Sequence, residues 1–253
     1  MNNSIAYSFH VRVGDVKELI CYKQLKYSIY TLRKFNKDIP VYVYISPSSV
    51  DTSDLNLGTN VNIVKFDFEQ DEGWPADWLW IDLLKHRWEN AIRAVKDNVV
   101  DNVLYLDTDT IFYNDPEILF NKYGSTNSIW AKPDNSYDLM KKVEVWPGMN
   151  DGQFIISKEV ANKDILKHMK FYVNHILSKH KENLTEQEFN DLSWVCTQYA
   201  VWDYFEHQKN SVKYFDEFEV MIGNETDFKD TSNLILHHYY SSNTNRFVPK
   251  EYL

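Results

Sequence analysis

Asp107 and Asp109 stand one residue apart, directly after the apolar run Val103-Leu104-Tyr105-Leu106. Four apolar residues in a row read as a strand buried on both faces. Ligands of open α/β sheets bind just beyond the carboxyl ends of the strands. A buried strand that ends in Asp-x-Asp therefore brings two hard oxygen ligands to that edge. Such ligands suit Mg²⁺ or Mn²⁺, and a cation of that kind can hold a diphosphate. Aspartate also favours turns, and turn formation alone would explain either residue. Two carboxylates pressed against a buried strand repel each other, however, and call for a cation or donors nearby.

Other residues could complete such a site. Leu234-Ile235-Leu236 runs into His237-His238, and a neutral imidazole can join carboxylates around Mn²⁺. Hydrogen-bonded strand histidines are the alternative. Lys85, His86 and Arg87 lie on a helix pattern directly upstream of the Asp-x-Asp strand. A solvated helix face accounts for any one of them. As a group they are the nearest cations to a phosphate-binding crevice. Asn150-Asp151-Gly152 precedes the apolar stretch Gln153 to Ser157. The triplet reads as a turn, or as a place where the backbone approaches a ligand closely. Trp74, Trp78, Trp146 and Trp194 could stack on sugar faces or simply pack in the core.

The elements that must position these residues alternate. Ile5 to Val13 has strand composition and ends at Gly14-Asp15. From about Val16 to Phe35, Leu19, Tyr22, Leu25, Ile29 and Leu32 recur at helical spacing. Strands are expected at Ile39 to Ile45 and Val61 to Phe68, and a loop at Glu69 to Asp77. A helix is expected from about Trp78 to Lys96, then the Asp-x-Asp strand, closed by the turn Asn114-Asp115-Pro116, and a short strand Ser128 to Lys132. Asp134 to Pro147 is polar. Helices follow at about Lys158 to Lys181 and Thr185 to Gln208, and one strand at Tyr214 to Ile222. The pattern specifies an α/β sheet.

The chain's 253 residues suffice for one large α/β domain or two small ones, and 43% hydrophobic residues supply a sizeable core. Aromatic residues make up 15%, enough for an aromatic crevice. The formal charge of −10 argues against a nucleic-acid backbone or an anionic membrane as main partner. It leaves room for a nucleotide held by one metal and a few basic side chains. Cys21 and Cys196 form no disulfide framework and sit in apolar helical patterns. Met1-Asn2-Asn3-Ser4 lacks the basic region of a signal peptide, and no run of eighteen apolar residues exists, so no membrane span and a cytoplasmic setting are expected.

Taken together, these pieces resemble the GT-A glycosyltransferases, in particular the family-8 type that includes glycogenin and bacterial galactosyltransferases. The resemblance rests on Leu104-Tyr105-Leu106-Asp107-Thr108-Asp109 with Phe112, Asp115-Pro116 and Leu119-Phe120 following, on Asn150-Asp151-Gly152 before a strand, on Gln198, and on His238-Tyr239. It implies a single GT-A domain over residues 1–253: a Rossmann-like mixed sheet flanked by helices. The nucleotide-sugar half is about 1–125 and the acceptor half about 126–253. It also implies Mn²⁺ or Mg²⁺ on Asp107, Asp109 and His238, with His237 the other candidate. The donor would be a nucleoside diphosphate sugar, UDP-linked by preference, and the acceptor a carbohydrate or other hydroxyl. Donor contacts are expected from Phe9, His10 and Asp67 by position, and from Lys85, Arg87, Thr108 and Asn150. Arg246 stands in for a lysine the family carries after its histidine, a position where this chain departs from the pattern. Asp151 and Gln198 are the expected catalytic residues. The family's acidic-Gln pair falls on Thr197-Gln198, where Thr replaces the acid, or on Glu186-Gln187. Retention of configuration is favoured over inversion. The rival readings are a sugar nucleotidyltransferase, against which His10 to Val16 offers a single Gly where a Gly-rich basic loop is needed, and a non-catalytic nucleotide-sugar binder.

Overall fold

Alternation along each strand decides how the core divides. In β1 (Asn3–His10) Ile5 and Tyr7 face one side and Ala6 the other; in β4 (Asn102–Leu106) Leu104 and Leu106 oppose Val103 and Tyr105. All five residues of β4 are buried, as a strand covered on both faces requires. A computed structural model shows these elements and describes residues 1–11, 19–53, 55–67, 79–124, 126–134, 148–162, 164–180, 182–207, 212–223, 232–240 and 244–252.

Seven strands form the central sheet in the order β3-β2-β1-β4-β7-β6-β8, with β2 at Val41–Ser46, β3 at Val61–Lys65, β6 at Ile129–Lys132, β7 at Asn150–Ser157 and β8 at Val212–Tyr214. Strands β1 to β4 are parallel, while β7 runs antiparallel to both β4 and β6. The sheet is therefore mixed, as expected. A second sheet of three short strands, β5-β10-β9, uses Thr110–Phe112, Leu236–His238 and Val220–Ile222.

Helix α1 (Ile20–Phe35) covers one face of the central sheet with Leu25, Ile29 and Leu32. It stops at Asn36, whose side-chain oxygen accepts the backbone N–H groups of Asp38 and Ile39. Helix α3 (Glu117–Tyr123) adds Leu119 and Phe120 on the same side. Helices α2 (Leu79–Asp97), α4 (Asp164–His180) and α5 (Glu186–His207) cover the opposite face through Trp88, Ile92, Ile165, Met169, Val201 and Phe205. Trp88 stacks on Phe154 of β7 at 3.9 Å and 11°, and Phe154 on Tyr105 of β4 at 5.1 Å and 18°. Each such pair adds about 0.5–1.5 kcal/mol beyond simple burial. The stack fixes α2 over the two strands that carry the acidic residues. A last short helix, α6, spans Thr244–Phe247.

Three expectations are corrected. Tyr214 to Ile222 is two strands, β8 and β9, in different sheets. The chain turns between them as Asp216 accepts the N–H groups of Phe218 and Glu219. Asn150-Asp151-Gly152 is the start of β7 and no turn, because Asn150 pairs with Lys132 and the Gly152 carbonyl accepts the Asp107 N–H at 2.7 Å. The helix expected from Lys158 begins at Asp164, after Val160 and Ala161 turn back onto the Ser157 carbonyl. The helix start near Val16, the 69–77 loop, Trp74, Trp78, Trp146 and the side chain of Trp194 lie outside the described residues. No helix among the described residues is long and apolar enough to cross a membrane.

Candidate active site

The Asp-x-Asp turn is the junction of the two sheets. Asp107 directly follows β4, Thr110 opens β5, and the Thr110 hydroxyl donates to the Asp107 carbonyl at 3.0 Å. β10 pairs antiparallel with β5, and its register places His238 opposite Thr110. Ligand atoms of Asp107, Asp109 and His238 consequently all lie within 4.8 Å of one another. His238 Nε2 is 3.2 Å from Asp109 Oδ1 and 3.7 Å from Asp107 Oδ2.

The pleat decides which histidine faces the carboxylates. His237 points the other way and its Nε2–H donates to the Gly223 carbonyl at 2.8 Å. His238 Nδ1–H donates to Gln153 Oε1 at 2.7 Å, which leaves Nε2 facing the carboxylates. Gly223, at φ +67°, also donates its N–H to the His238 carbonyl at 2.7 Å, and a side chain there would be strained and would strike the Tyr240 ring.

Helix α2 supplies the counter-charge. Arg87 reaches Asp107 Oδ2 at 3.1 Å and Asp151 Oδ1 at 2.8 Å, with its side chain 18% exposed. The Trp88 indole N–H donates to Asp151 Oδ2 at 3.3 Å. Asp151 is fully buried and both its oxygens accept a hydrogen bond. Gln198 lies against it on α5. Its carboxamide is 3.3 Å from Asp151 Oδ1 on one side, and on the other 3.1 Å from the Met149 carbonyl and 2.8 Å from Asp134 Oδ2. The two nearer acceptors call for the NH₂ on their side, leaving Arg87 and Trp88 as the donors to Asp151.

Three carboxylates, Asp107, Asp109 and Asp151, thus surround one guanidinium. Burial raises the Asp107 carboxyl to about 6 although Arg87 and His238 oppose it. Burial is the largest single influence on His238 and disfavours its charge, yet Asp109 and Asp107 together outweigh it and raise its pKa above the ordinary value. The excess of negative charge, with His238 Nε2 aimed into it, fits a divalent cation that would take the place of the Nε2 proton.

Gly152 is the tightest point. A Cβ there would lie 2.5 Å from His238 Cε1 and 2.9 Å from Asp107 Oδ2. Gly152→Ala is expected to push one of these ligands aside and weaken Mn²⁺ binding by about 10- to 100-fold, the usual scale when a ligand's support is lost. Titration calorimetry with Mn²⁺ measures this directly; unchanged affinity would contradict the placement.

The remaining expected residues are distributed as follows. His10 and Ser46 end β1 and β2, and Asp67 lies two residues beyond the end of β3, at the same sheet edge. His10 Nδ1 hydrogen-bonds Ser46 Oγ at 2.7 Å, and Asp67 accepts the Ser48 N–H at 2.9 Å and its hydroxyl at 2.7 Å, which lowers the pKa of this exposed acid. Phe9 is half-buried against the core. Thr108 is buried, its hydroxyl donating to Gln24 of α1 at 3.3 Å, and Asn150 accepts the Gly152 N–H at 2.9 Å. Lys85 lends its charge to Glu89, and Arg246 is exposed over the Phe247 ring. Thr197 is fully buried, and the side chains of Glu186 and Gln187 lie outside the described residues. Asp134, Trp88 and Gln153 were not anticipated. Gln153 carried a signal: a polar residue inside an otherwise apolar strand.

Comparison with solved structures finds this architecture in known enzymes. The galactosyltransferase LgtC, in complex with donor and acceptor sugar analogues, aligns over 93% of this chain and 86% of its own with a TM-score of 0.55 at 13% identity. An active-site mutant of the same enzyme gives 0.52 at 14%. Mouse xyloside xylosyltransferase 1, in its apo form, aligns over 96% of this chain and 99% of its own with a TM-score of 0.58 at 9% identity. No family model and no curated protein sequence matches the chain. The fold is thus the GT-A fold of glycosyltransferases, similar to that of the galactosyltransferase LgtC.

Proposed function

We propose that the chain is a metal-dependent glycosyltransferase that moves a sugar from a nucleoside diphosphate sugar, UDP-linked by preference, to an acceptor hydroxyl. The observation that carries this reading is the convergence of Asp107, Asp109 and His238 at the carboxyl edge of the central sheet. These three residues would hold Mn²⁺ or Mg²⁺. Bound there, the cation supplies Lewis-acid screening of the charge that builds on the departing diphosphate.

The chain's own residues do the rest. Gln153 keeps His238 in the tautomer that presents Nε2. Arg87 holds Asp107 and Asp151 together and is the nearest fixed positive charge to the phosphates. The carboxyl edge of β1 to β3, with Phe9, His10 and Asp67, would take the nucleoside, and Thr108 and Asn150 shape the turn and strand beside it. Residues of the second half would bind the acceptor. If the transfer inverted, a protein carboxylate would have to act as general base on the acceptor hydroxyl. Asp151, buried and with both oxygens occupied, acts instead by orienting Arg87, with Gln198 packed beside it, which favours retention over inversion.

The test is a panel of nucleotide sugars followed by thermal shift and by product analysis, each with and without Mn²⁺. A donor that raises the melting temperature only with Mn²⁺ and is consumed supports the proposal. A non-catalytic binder on the same fold is the second reading, favoured by Thr197 where the resemblance expects an acid. It would show stabilisation without turnover. No Mn²⁺-linked response to any donor would overturn both.

A further inference from the structure

Among the described residues, three that are not glycine hold a left-handed backbone: Asn60 at φ +55°, Val99 at +53° and Tyr240 at +58°. Asparagine visits that region readily. Val99 is 80% exposed in the turn between α2 and β4, at the end of β4 remote from Asp107. Tyr240 differs from both. It stands two residues beyond His238, and a bulky side chain on a left-handed backbone is a real outlier. Strain of this kind persists only where the surroundings impose it, and it gathers at functional sites.

The Tyr240 ring meets the His238 imidazole edge-on, with centroids 5.0 Å apart and planes at 76°. On its other side lies Gly223, where a Cβ would come 2.9 Å from Tyr240 Cε2. The ring thus fills the space that the glycine leaves bare. Gly223 in turn donates its N–H to the His238 carbonyl and accepts from His237 Nε2. One residue before the ring, the Tyr239 N–H donates to the Asp109 carbonyl at 3.1 Å. These main-chain bonds fix where β10 sits. They do not fix how the imidazole turns about its last torsion, which has broad wells. Gln153 holds Nδ1, and Gly152 lies close against Cε1. Tyr240 closes a further side.

We propose that Tyr240 is a positioning residue for His238: its ring wedges the imidazole so that Nε2 stays on Asp107 and Asp109, and its left-handed backbone is the strain that placing the ring requires. This rests on the cation site of the glycosyltransferase reading above. The ring itself touches neither ion nor substrate.

The experiment measures Mn²⁺ affinity by titration calorimetry, and melting temperature, on the full chain. Tyr240→Phe keeps the ring and should bind Mn²⁺ as the wild type does. Tyr240→Ala and Tyr240→Gly both lose it, and both should bind about tenfold more weakly, the scale of a ligand's lost support. Only glycine also relieves the backbone, so Tyr240→Gly should melt about 2–4 °C above Tyr240→Ala. A merely structural ring would make affinity follow melting temperature, with the glycine variant binding more tightly than the alanine one. Val99→Gly relieves the same kind of strain away from the site, and should raise the melting temperature with Mn²⁺ affinity unchanged. Wild-type affinity in Tyr240→Ala or Tyr240→Gly, weakened binding in Tyr240→Phe, or equal melting of the alanine and glycine variants overturns the proposal. If the wild type binds no Mn²⁺, the function proposed above falls instead. Ring NMR of His238 then reads the wedge by itself. A sharp Cε1–H signal in the wild type and Tyr240→Phe that broadens or doubles in the other two upholds it, and one signal shape in all four rejects it.

Discussion

Asp109→Asn is expected to lower Mn²⁺-dependent consumption of the donor sugar by about a thousandfold, the scale of several kcal/mol of lost charge stabilisation. The side chains are nearly isosteric, so the effect separates chemistry from folding. Asp109 is 6% exposed and faces His238 Nε2 at 3.2 Å. Its amide counterpart removes one negative charge from a cluster that already holds Arg87. The apo protein should therefore melt at or slightly above the wild-type temperature, because repulsion from Asp107 is relieved. Turnover near the wild-type level with Mn²⁺ would sink the metal assignment, whatever the melting curve shows.

The second large effect is on stability. Arg87→Leu leaves Asp151 fully buried without its guanidinium and Asp107 without its nearest cation. Breaking a buried pair from one side typically costs roughly 3–5 kcal/mol, because the remaining charge stays desolvated. Removing both partners together, as Arg87→Leu with Asp151→Leu, should recover part of that loss, since the charge stranded in the single variant is then gone. Urea titrations of Arg87→Leu, of Asp151→Leu alone and of the double variant give the cycle. A single-variant loss below about 1 kcal/mol would show that the Arg87 bridge is not holding a desolvated charge.

How much of this could be read from the sequence depends on whether a feature is local. The run Val103 to Leu106 announced a doubly covered strand, and the position of Asp107 and Asp109 followed from strand direction alone. The choice between His237 and His238 did not, because both follow the same apolar run. It is fixed by the register of β10 against β5 and β9, a pairing between residues far apart in the chain. Asp151 was legible as a candidate carboxylate but not as one enclosed by Arg87 and Trp88, since nothing local says that α2 crosses β7. Asp134 sits in a polar stretch where one more acid carries no signal. Strand composition predicted Tyr214 to Ile222 as one piece because it cannot tell which sheet each half joins.

The candidate cation site straddles a seam. Asp107 and Asp109 belong to the end of the central sheet, whereas His238 arrives on β10, whose neighbours are β5 and β9. A bound ion would therefore act as a rivet between two separately hydrogen-bonded layers. Affinity would then be adjustable at a distance: a side chain exchanged at Val220 or Met221, on the strand beside β10, would tilt the smaller layer and shift His238 against the two carboxylates. Such positions form a dial for metal preference that never touches the ion.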